Sequence, residues 1–231
     1  MLAASYQRRR GEIETYFDRT ALAAWARLTS TAPVGGVRAT VRAGRDAMRA
    51  TLLGWLPEDM HGLRLLDAGC GTGALALAAA ARGAEVVAID LSPQLVGLAA
   101  ERAAAEPGAA RICFRAGDML DPALGRFDYI VCMDSVIHYG AEDAIAALGQ
   151  LAARADRALL FTFAPRTKLL TVMHALGRLF PRGNRSPAIE PQSEARLRRH
   201  FRIARSSRIA NGFYISHAME LSTAPSTEPR A

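Results

Sequence analysis

Residues 63–73 of the 231-residue chain have the sequence Leu-Arg-Leu-Leu-Asp-Ala-Gly-Cys-Gly-Thr-Gly. The apolar residues at its start are typical of a buried strand, and the Ala/Leu-rich segment that follows is typical of a helix. Between them lie Asp67 and three glycines at alternate positions, Gly69, Gly71 and Gly73. Because glycine has no side chain, a nucleotide-like ligand can lie directly against such a turn.

The position of the acidic residue separates two kinds of nucleotide site. Dinucleotide-binding turns have the spacing G-x-G-x-x-G and hold a pyrophosphate at the helix N-terminus. Here the pattern is D-x-G-x-G-x-G, and Asp67 would repel a pyrophosphate but attract a cationic amino-acid ligand. The pattern resembles the first motif of the class I S-adenosylmethionine (SAM) methyltransferases, and this likeness extends over roughly residues 60–165.

The composition bounds the class of protein. Half of the residues are hydrophobic and 22% are charged, which predicts a globular chain with a sizeable core. The three cysteines form no C-x-x-C pair and no zinc-like cluster, so we expect buried thiols in a reducing compartment and no protein-bound metal. Neither a signal peptide nor an apolar run of ~20 residues is apparent, which predicts a cytoplasmic protein that is at most peripheral to a membrane.

The net charge of +7 is unevenly distributed along the chain. It is +3 over residues 1–62, −4 over 63–162 and +8 over 163–231. Basic flanks favour an anionic partner, for which nucleic acid, an anionic membrane surface and a carboxylate-bearing metabolite all qualify. Arginine supplies nearly all of the positive charge, and a GC-rich genome would explain that bias equally well.

The alternation of apolar segments predicts a Rossmann-like, doubly wound α/β fold. Two amphipathic helices, 5–30 and 37–55, precede the first strand and form an N-terminal helical cap over residues 1–60. A methyltransferase domain over 61–221 contains a helical, basic substrate-side insertion at 166–200, with a helix over 167–180, and a disordered tail follows at 222–231. The domain is a mostly parallel seven-stranded sheet that ends in an antiparallel edge hairpin, with strands at 63–67, 85–90, 111–116, 127–133, 157–163, 201–209 and 212–221.

The candidate cofactor residues follow the strands of this sheet, because ligands bind at the carboxyl ends of such strands. Asp90 can accept both ribose hydroxyls of an adenosine, which NAD enzymes also use. In class I methyltransferases a Gly-Asp pair after the third strand contacts the adenine. The residues predicted to bind SAM, and its product S-adenosylhomocysteine (SAH), are Asp67, Gly69, Cys70, Gly71, Gly73, Asp90, Leu91, Gly117, Asp118, Met119 and Met133. Turn and helix capping are the structural alternatives for the acids.

The candidate catalytic residues lie where the acceptor would meet the methyl donor. His138 and Tyr139 follow the fourth strand, and Tyr16 lies in the cap. His138 would orient or deprotonate the acceptor, or it is a loop histidine without such a role; Tyr16 is otherwise an aromatic of the cap's own core. The Asn-Pro-Pro-Tyr motif used for amino-group methylation of bases is absent, which disfavours a nucleic-acid substrate.

Segments outside the glycine turn sharpen the resemblance. Over about residues 10–220 the chain is similar to the magnesium-protoporphyrin IX O-methyltransferase family of bacteriochlorophyll and chlorophyll biosynthesis. The similar segments are 16–20, 25–28, 41–45, 66–73, 128–131, 133–135, 179–187 and 212–216.

The resemblance implies transfer of a methyl group from SAM to one propionate of Mg-protoporphyrin IX, giving the monomethyl ester and SAH. A flat apolar ring with two carboxylates requires an apolar cleft with arginines at its rim, for which Tyr139, Arg182 and Arg185 are the substrate-binding candidates. The two arginines are otherwise part of a solvated basic loop.

The partners implied are a transient contact with magnesium chelatase and a peripheral contact with a membrane; the magnesium belongs to the substrate. Another small apolar acid or a phenol is the alternative acceptor, and RNA is disfavoured because no RNA-binding motif appears.

Overall fold

The computed structural model describes residues 4–20, 22–30, 32–166 and 187–223. Within them a seven-stranded sheet has the order β3-β2-β1-β4-β5-β7-β6. Neighbouring strands are parallel from β3 to β5, and β7 is antiparallel to both β5 and β6. The strands are β1 (Arg64–Ala68), β2 (Glu85–Asp90), β3 (Ile112–Ala116), β4 (Phe127–Cys132), β5 (Ala155–Phe163), β6 (Ile203–Asn211) and β7 (Tyr214–Ser222).

Helices cover both faces of the sheet, as a parallel sheet of apolar strands requires. Leu65 and Leu66 are adjacent in β1 and both fully buried, but they belong to two different hydrophobic clusters. The helices are α1 (Ala4–Thr15), α2 (Leu22–Leu28), α3 (Gly36–Trp55), α4 (Ala74–Ala81), α5 (Pro93–Ala103), α6 (Ala141–Ala152) and α7 (Glu194–His200).

The predicted α/β fold class and its antiparallel C-terminal hairpin are confirmed. The prediction of one continuous helix over 5–30 is wrong, because a π-helical turn, Tyr16–Thr20, separates helix α1 from helix α2. Helix α5 ends at Ala103, and Pro107-Gly108 leads into a new turn. The helix predicted at 167–180 lies outside the described residues, and so does nearly all of the predicted tail.

Helix α3 is the cap helix that packs on the C-terminal hairpin. A Cβ atom added to Gly44 would lie 2.6–2.8 Å from side-chain atoms of Tyr214, so only glycine allows this approach of helix to strand. Tyr214 is buried, and it begins β7. The glycine therefore brings the cap against the sheet at the point where the site forms.

We predict that Gly44→Ala destabilises the protein by about 1–3 kcal/mol, because overpacking forces Tyr214 or α3 to move. Gly54 is the matched control, since it lies in the same helix and a Cβ there would meet nothing within 4 Å. Gly54→Ala should be neutral or stabilise by up to about 1 kcal/mol through helix propensity. Denaturant unfolding measures both, and equal effects of the two substitutions would contradict this packing role.

Candidate active site

A cavity of about 650 Å³ lies at the carboxyl ends of the strands, between the sheet and the N-terminal helices. Most of the predicted site residues line it: Tyr16, Asp67, Gly69, Cys70, Gly71, Asp90, Leu91, Gly117, Asp118, Met119, Met133, His138 and Tyr139. Gly73 is not among the lining residues. Arg182 and Arg185 lie outside the described residues. Residues from four strand ends and the cap thus meet at one cavity.

The glycine turn has the backbone conformation that its sequence predicts. Gly69, Gly71 and Gly73 have φ angles of +85°, +53° and +79°, which L side chains rarely adopt. A Cβ on Gly69 would overlap the hydroxyl of Ser135, whereas one on Gly73 would crowd Ala99 and other side chains at 3.1 Å. Gly69 therefore allows the close approach of Ser135, Gly71 leaves room beside Trp25, and Gly73 allows close packing of helix and sheet.

Two carboxylates flank this turn, of which Asp67 is buried and Asp90 is partly exposed. Asp67 is 2% exposed and accepts a hydrogen bond from the Ala76 amide at 3.1 Å. Burial raises the pKa of Asp67 to about 7. Asp90 accepts hydrogen bonds from the amides of Gly71 at 2.9 Å and Ser92 at 3.0 Å, and burial also raises its pKa. Negative charge here is costly without a cationic or hydrogen-bonding ligand, which suits the two ends of an adenosyl amino acid.

We predict that Asp67→Asn stabilises the protein at pH 8, by up to about 4 kcal/mol, and much less at pH 5. The pKa of Asp67 is raised on folding, so its protonated form favours folding at low pH and this contribution is lost as pH rises through about 7. The measurement is chemical denaturation of both proteins at each pH.

Asp156→Asn is the control, because Asp156 is exposed and pairs with Arg126. A stability difference for Asp67→Asn that does not change between pH 5 and pH 8 would contradict the burial of a titrating carboxyl.

Helix α1 covers the third acid of the site. The hydroxyl of Tyr6 donates to Asp118 Oδ1 at 3.0 Å, and Arg10 Nη1 donates to Asp118 Oδ2 at 2.9 Å. Tyr6 is fully buried and stacks on Tyr139, with ring centroids 4.7 Å apart. Asp118, predicted to contact an adenine, is therefore also the residue that holds α1 over the cavity.

The π-helical turn contributes one wall of aromatic side chains. Phe17 lies in edge or tilted contact with Tyr16, Trp25 and His138, at centroid distances of 5.1, 5.5 and 6.0 Å. Asp18 in the same turn accepts a hydrogen bond from the Ser92 hydroxyl at 2.9 Å, at the N-terminus of α5. A negative charge is favourable at that helix end, so the turn is fixed to the sheet domain.

His138 is buried in this wall. Its Nδ1 lies 3.4 Å from the carbonyl oxygen of Ala188, which can only accept, so Nδ1 is the protonated nitrogen and Nε2 is an acceptor. Burial lowers the pKa of His138, and the ring is neutral near pH 7. A neutral imidazole in the cavity lining can orient a polar group there.

A network of polar side chains that the sequence patterns did not predict joins the cap to the sheet. Arg45 Nη1 lies 2.5 Å from Asp134 Oδ2, and the Tyr214 hydroxyl lies 3.2 Å from both carboxylate oxygens. Thr162 Oγ1 donates to Asp134 at 3.0 Å, and the Arg45 guanidinium also stacks 4.7 Å from the centre of the Trp25 ring. Asp134 has φ +55°. Its position directly after a predicted strand is the one sequence feature that could have indicated a role for this residue in the site.

Two negative findings apply to the part of the chain that the structure describes. No group of three or more His, Cys, Asp or Glu side chains is arranged to hold a metal ion. None of the helices there combines the length and the apolar character that crossing a membrane requires.

Comparison with known proteins agrees with this geometry. A general methyltransferase-domain model matches residues 65–156, and the model of the magnesium-protoporphyrin IX methyltransferase C-terminus matches 132–223. The fold is thus that of a class I SAM-dependent methyltransferase.

The chain is 48% identical to magnesium-protoporphyrin O-methyltransferase of Rhodobacter capsulatus, over 95% of this chain and 99% of that protein. Identity to the Synechocystis enzyme of the same name is 33%, over 90% and 94% of the two chains. The crystal structure of the Synechocystis PCC 6803 magnesium protoporphyrin IX methyltransferase with bound SAH has a TM-score of 0.78 at 31% identity, over 92% and 99%. The chain belongs to the magnesium-protoporphyrin O-methyltransferase family.

Proposed function

We propose that this chain transfers a methyl group from SAM to one propionate carboxylate of Mg-protoporphyrin IX. The observation that carries the proposal is that one cavity combines the two acids Asp67 and Asp90 at a glycine turn with an aromatic wall that contains a neutral histidine. The first part suits a cationic adenosyl ligand, and the second suits a large apolar acceptor. The family relationship supports the same substrates.

The residues at the strand ends fit SAM, which supplies an electrophilic methyl group on its sulfonium. Asp67 provides negative charge beside the glycine turn in the cavity lining, where an amino-acid moiety with a cationic end would be attracted. Asp90 presents carboxylate oxygens for the ribose hydroxyls, and Asp118 with Met119 lies where an adenine would be bound. These side chains hold the donor and exclude water from the reacting end.

The acceptor requires alignment rather than activation. A carboxylate has a pKa near 4–5 and is already ionised at neutral pH, so no base has to remove a proton. We infer that His138 and Tyr16 orient the propionate, and that Tyr139 helps to form the apolar floor. Methyl transfer then depends on holding the carboxylate oxygen in line with the donor methyl group.

We predict that incubation with labelled SAM and Mg-protoporphyrin IX yields a labelled monomethyl ester, identified by mass analysis. A visible absorbance shift on adding the porphyrin should accompany binding. The comparison acceptors are a phenol and a fatty acid of similar apolar character, and neither should be labelled at a comparable rate. Labelling of these compounds but not of the porphyrin would show that the acceptor class is wrong.

We predict that His138→Ala leaves the Kd for SAH unchanged and lowers kcat by about tenfold or more, since the acceptor loses its orientation. His200→Ala is the control, because His200 is exposed on α7. The wild-type rate should vary little near pH 7 and fall only at pH values low enough to protonate His138, whose pKa lies below its ordinary 6.5. Undiminished turnover in the variant would eliminate His138 from the mechanism.

We further propose a transient contact with magnesium chelatase or a peripheral contact with a membrane, made through the basic C-terminal region. The charge of +8 over residues 163–231 supports this, as does the exposure of Arg199 and Arg202, which have no partner among the described residues. Co-sedimentation with anionic vesicles and with the chelatase subunits, at low and high salt, distinguishes the two partners.

A further inference from the structure

Helix α3 presents a row of four arginines to the cavity. Arg38, Arg42, Arg45 and Arg49 are spaced by four, three and four residues, which places them on one face of a helix. All four line the cavity. Carboxylates and phosphates are the groups that such guanidinium rows recognise.

Three of these arginines already bind other groups of the protein. Arg42 donates to the carbonyl oxygens of Leu28, Ala32 and Arg27, each at 2.7 Å. Arg45 pairs with Asp134. These guanidinium groups therefore hold the cap together or tie it to the sheet.

Arg49 pairs with Asp46 at 2.8 Å, within the same helix. Arg38, in contrast, is exposed and has no hydrogen-bond or ion-pair partner among the described residues. It also lies in the first turn of α3, where the helix dipole disfavours a positive charge. No contact among the described residues explains an arginine at position 38. What Arg38 shares with the other three arginines of the row is a place in the cavity lining.

Apolar side chains border the cavity beside Arg38. Val41 and Phe213 both line the cavity, and the Phe213 side chain is 58% exposed. The hairpin turn abuts the first turn of α3, because a Cβ on Gly212 would lie 2.7–3.1 Å from the side chain of Thr40. The edge of the cavity is thus an apolar surface next to an unpaired guanidinium.

We propose that Arg38 binds the second propionate of the acceptor, the one that is not methylated. This inference rests on the proposed function, which supplies a flat apolar dicarboxylate. One carboxylate lies at the reacting end near His138, the second carboxylate, on the neighbouring pyrrole ring, pairs with Arg38, and the apolar macrocycle extends over Val41 and Phe213. Because a methyl ester has no charge to offer Arg38, the monoester rebinds poorly in the reverse orientation, and the reaction stops after one methyl transfer.

The test compares Mg-protoporphyrin IX with its dimethyl ester as ligands for wild-type enzyme and for Arg38→Ala, using fluorescence quenching in the presence of SAH. Arg38→Ala should weaken binding of the diacid about tenfold, since a charge-assisted pair is lost. It should leave the Kd of the dimethyl ester and the Kd of SAH unchanged. Turnover of the variant should show a raised KM, a nearly unchanged kcat and some diester among the products.

Two further variants complete the design. Arg38→Lys should recover part of the affinity for the diacid. Arg115→Ala removes the same charge from an exposed site outside the cavity lining and should behave as wild type. The proposal is overturned if Arg38→Ala changes neither affinity, or weakens the diacid and the dimethyl ester by the same factor. Wild-type turnover in the same preparation separates this failure from failure of the proposed function, in which the unmodified enzyme forms no ester.

Discussion

The ion pair between Arg45 and Asp134 is the interaction on which the geometry of the site depends. Arg45 belongs to the cap helix α3, and Asp134 follows the central strand β4. The two side chains are only 20% and 8% exposed, and removal of either partner would leave a charge buried without compensation. Hydrogen bonds from Tyr214 and Thr162 hold the Asp134 carboxylate from two other strands. Four elements therefore meet at one carboxylate, and the cap is fixed over the sheet.

Because the cap is fixed over the sheet, the cavity has two facing surfaces that carry different kinds of side chain. The strand ends carry the acids and the glycine turn, and the cap carries the aromatic wall and the arginine row. Neither surface could bind both ligands alone, because the acids suit a cation and the arginines suit an anion. The raised pKa values of Asp67 and Asp90 show that the acids lower the stability of the protein at neutral pH. A ligand that pairs with these acids relieves the cost of their burial, so the stability that the free protein loses contributes to ligand affinity.

Most of the sheet could be predicted from the sequence, and so could the approximate place of the site. The parallel strands are mostly apolar runs bounded by turn residues, and the acids and glycines at their ends follow directly from that assignment. The antiparallel hairpin was predictable because strand-like segments flank Gly212, although β6 is largely polar and exposed. The π-helical turn at Tyr16 was not, since its aromatic and apolar spacing matches an ordinary amphipathic helix and only tertiary contacts select the wider turn.

The roles of the arginines could not be predicted either. The printed sequence does not distinguish Arg42, which binds three carbonyl oxygens, from Arg38, which binds no described residue. Partner choice depends on which loops the cap contacts, and those contacts join residues that are distant in the chain. Arg182 and Arg185, which the sequence predicts to bind substrate, lie outside the described residues, and their role stays a prediction.

The place of β7 in the sheet has a consequence for how the protein is made. Strand β7 lies between β5 and β6, so the parallel part of the sheet ends at β5 until the last strands have been synthesised. During that interval β5, whose residues are mostly buried in the finished protein, presents unpaired backbone groups along an apolar edge. Such an edge is a template for self-association on the ribosome, and long-range pairing of this kind forms slowly. Once it has been synthesised, the C-terminal hairpin covers this edge of β5 and removes the template for self-association, as well as completing the sheet.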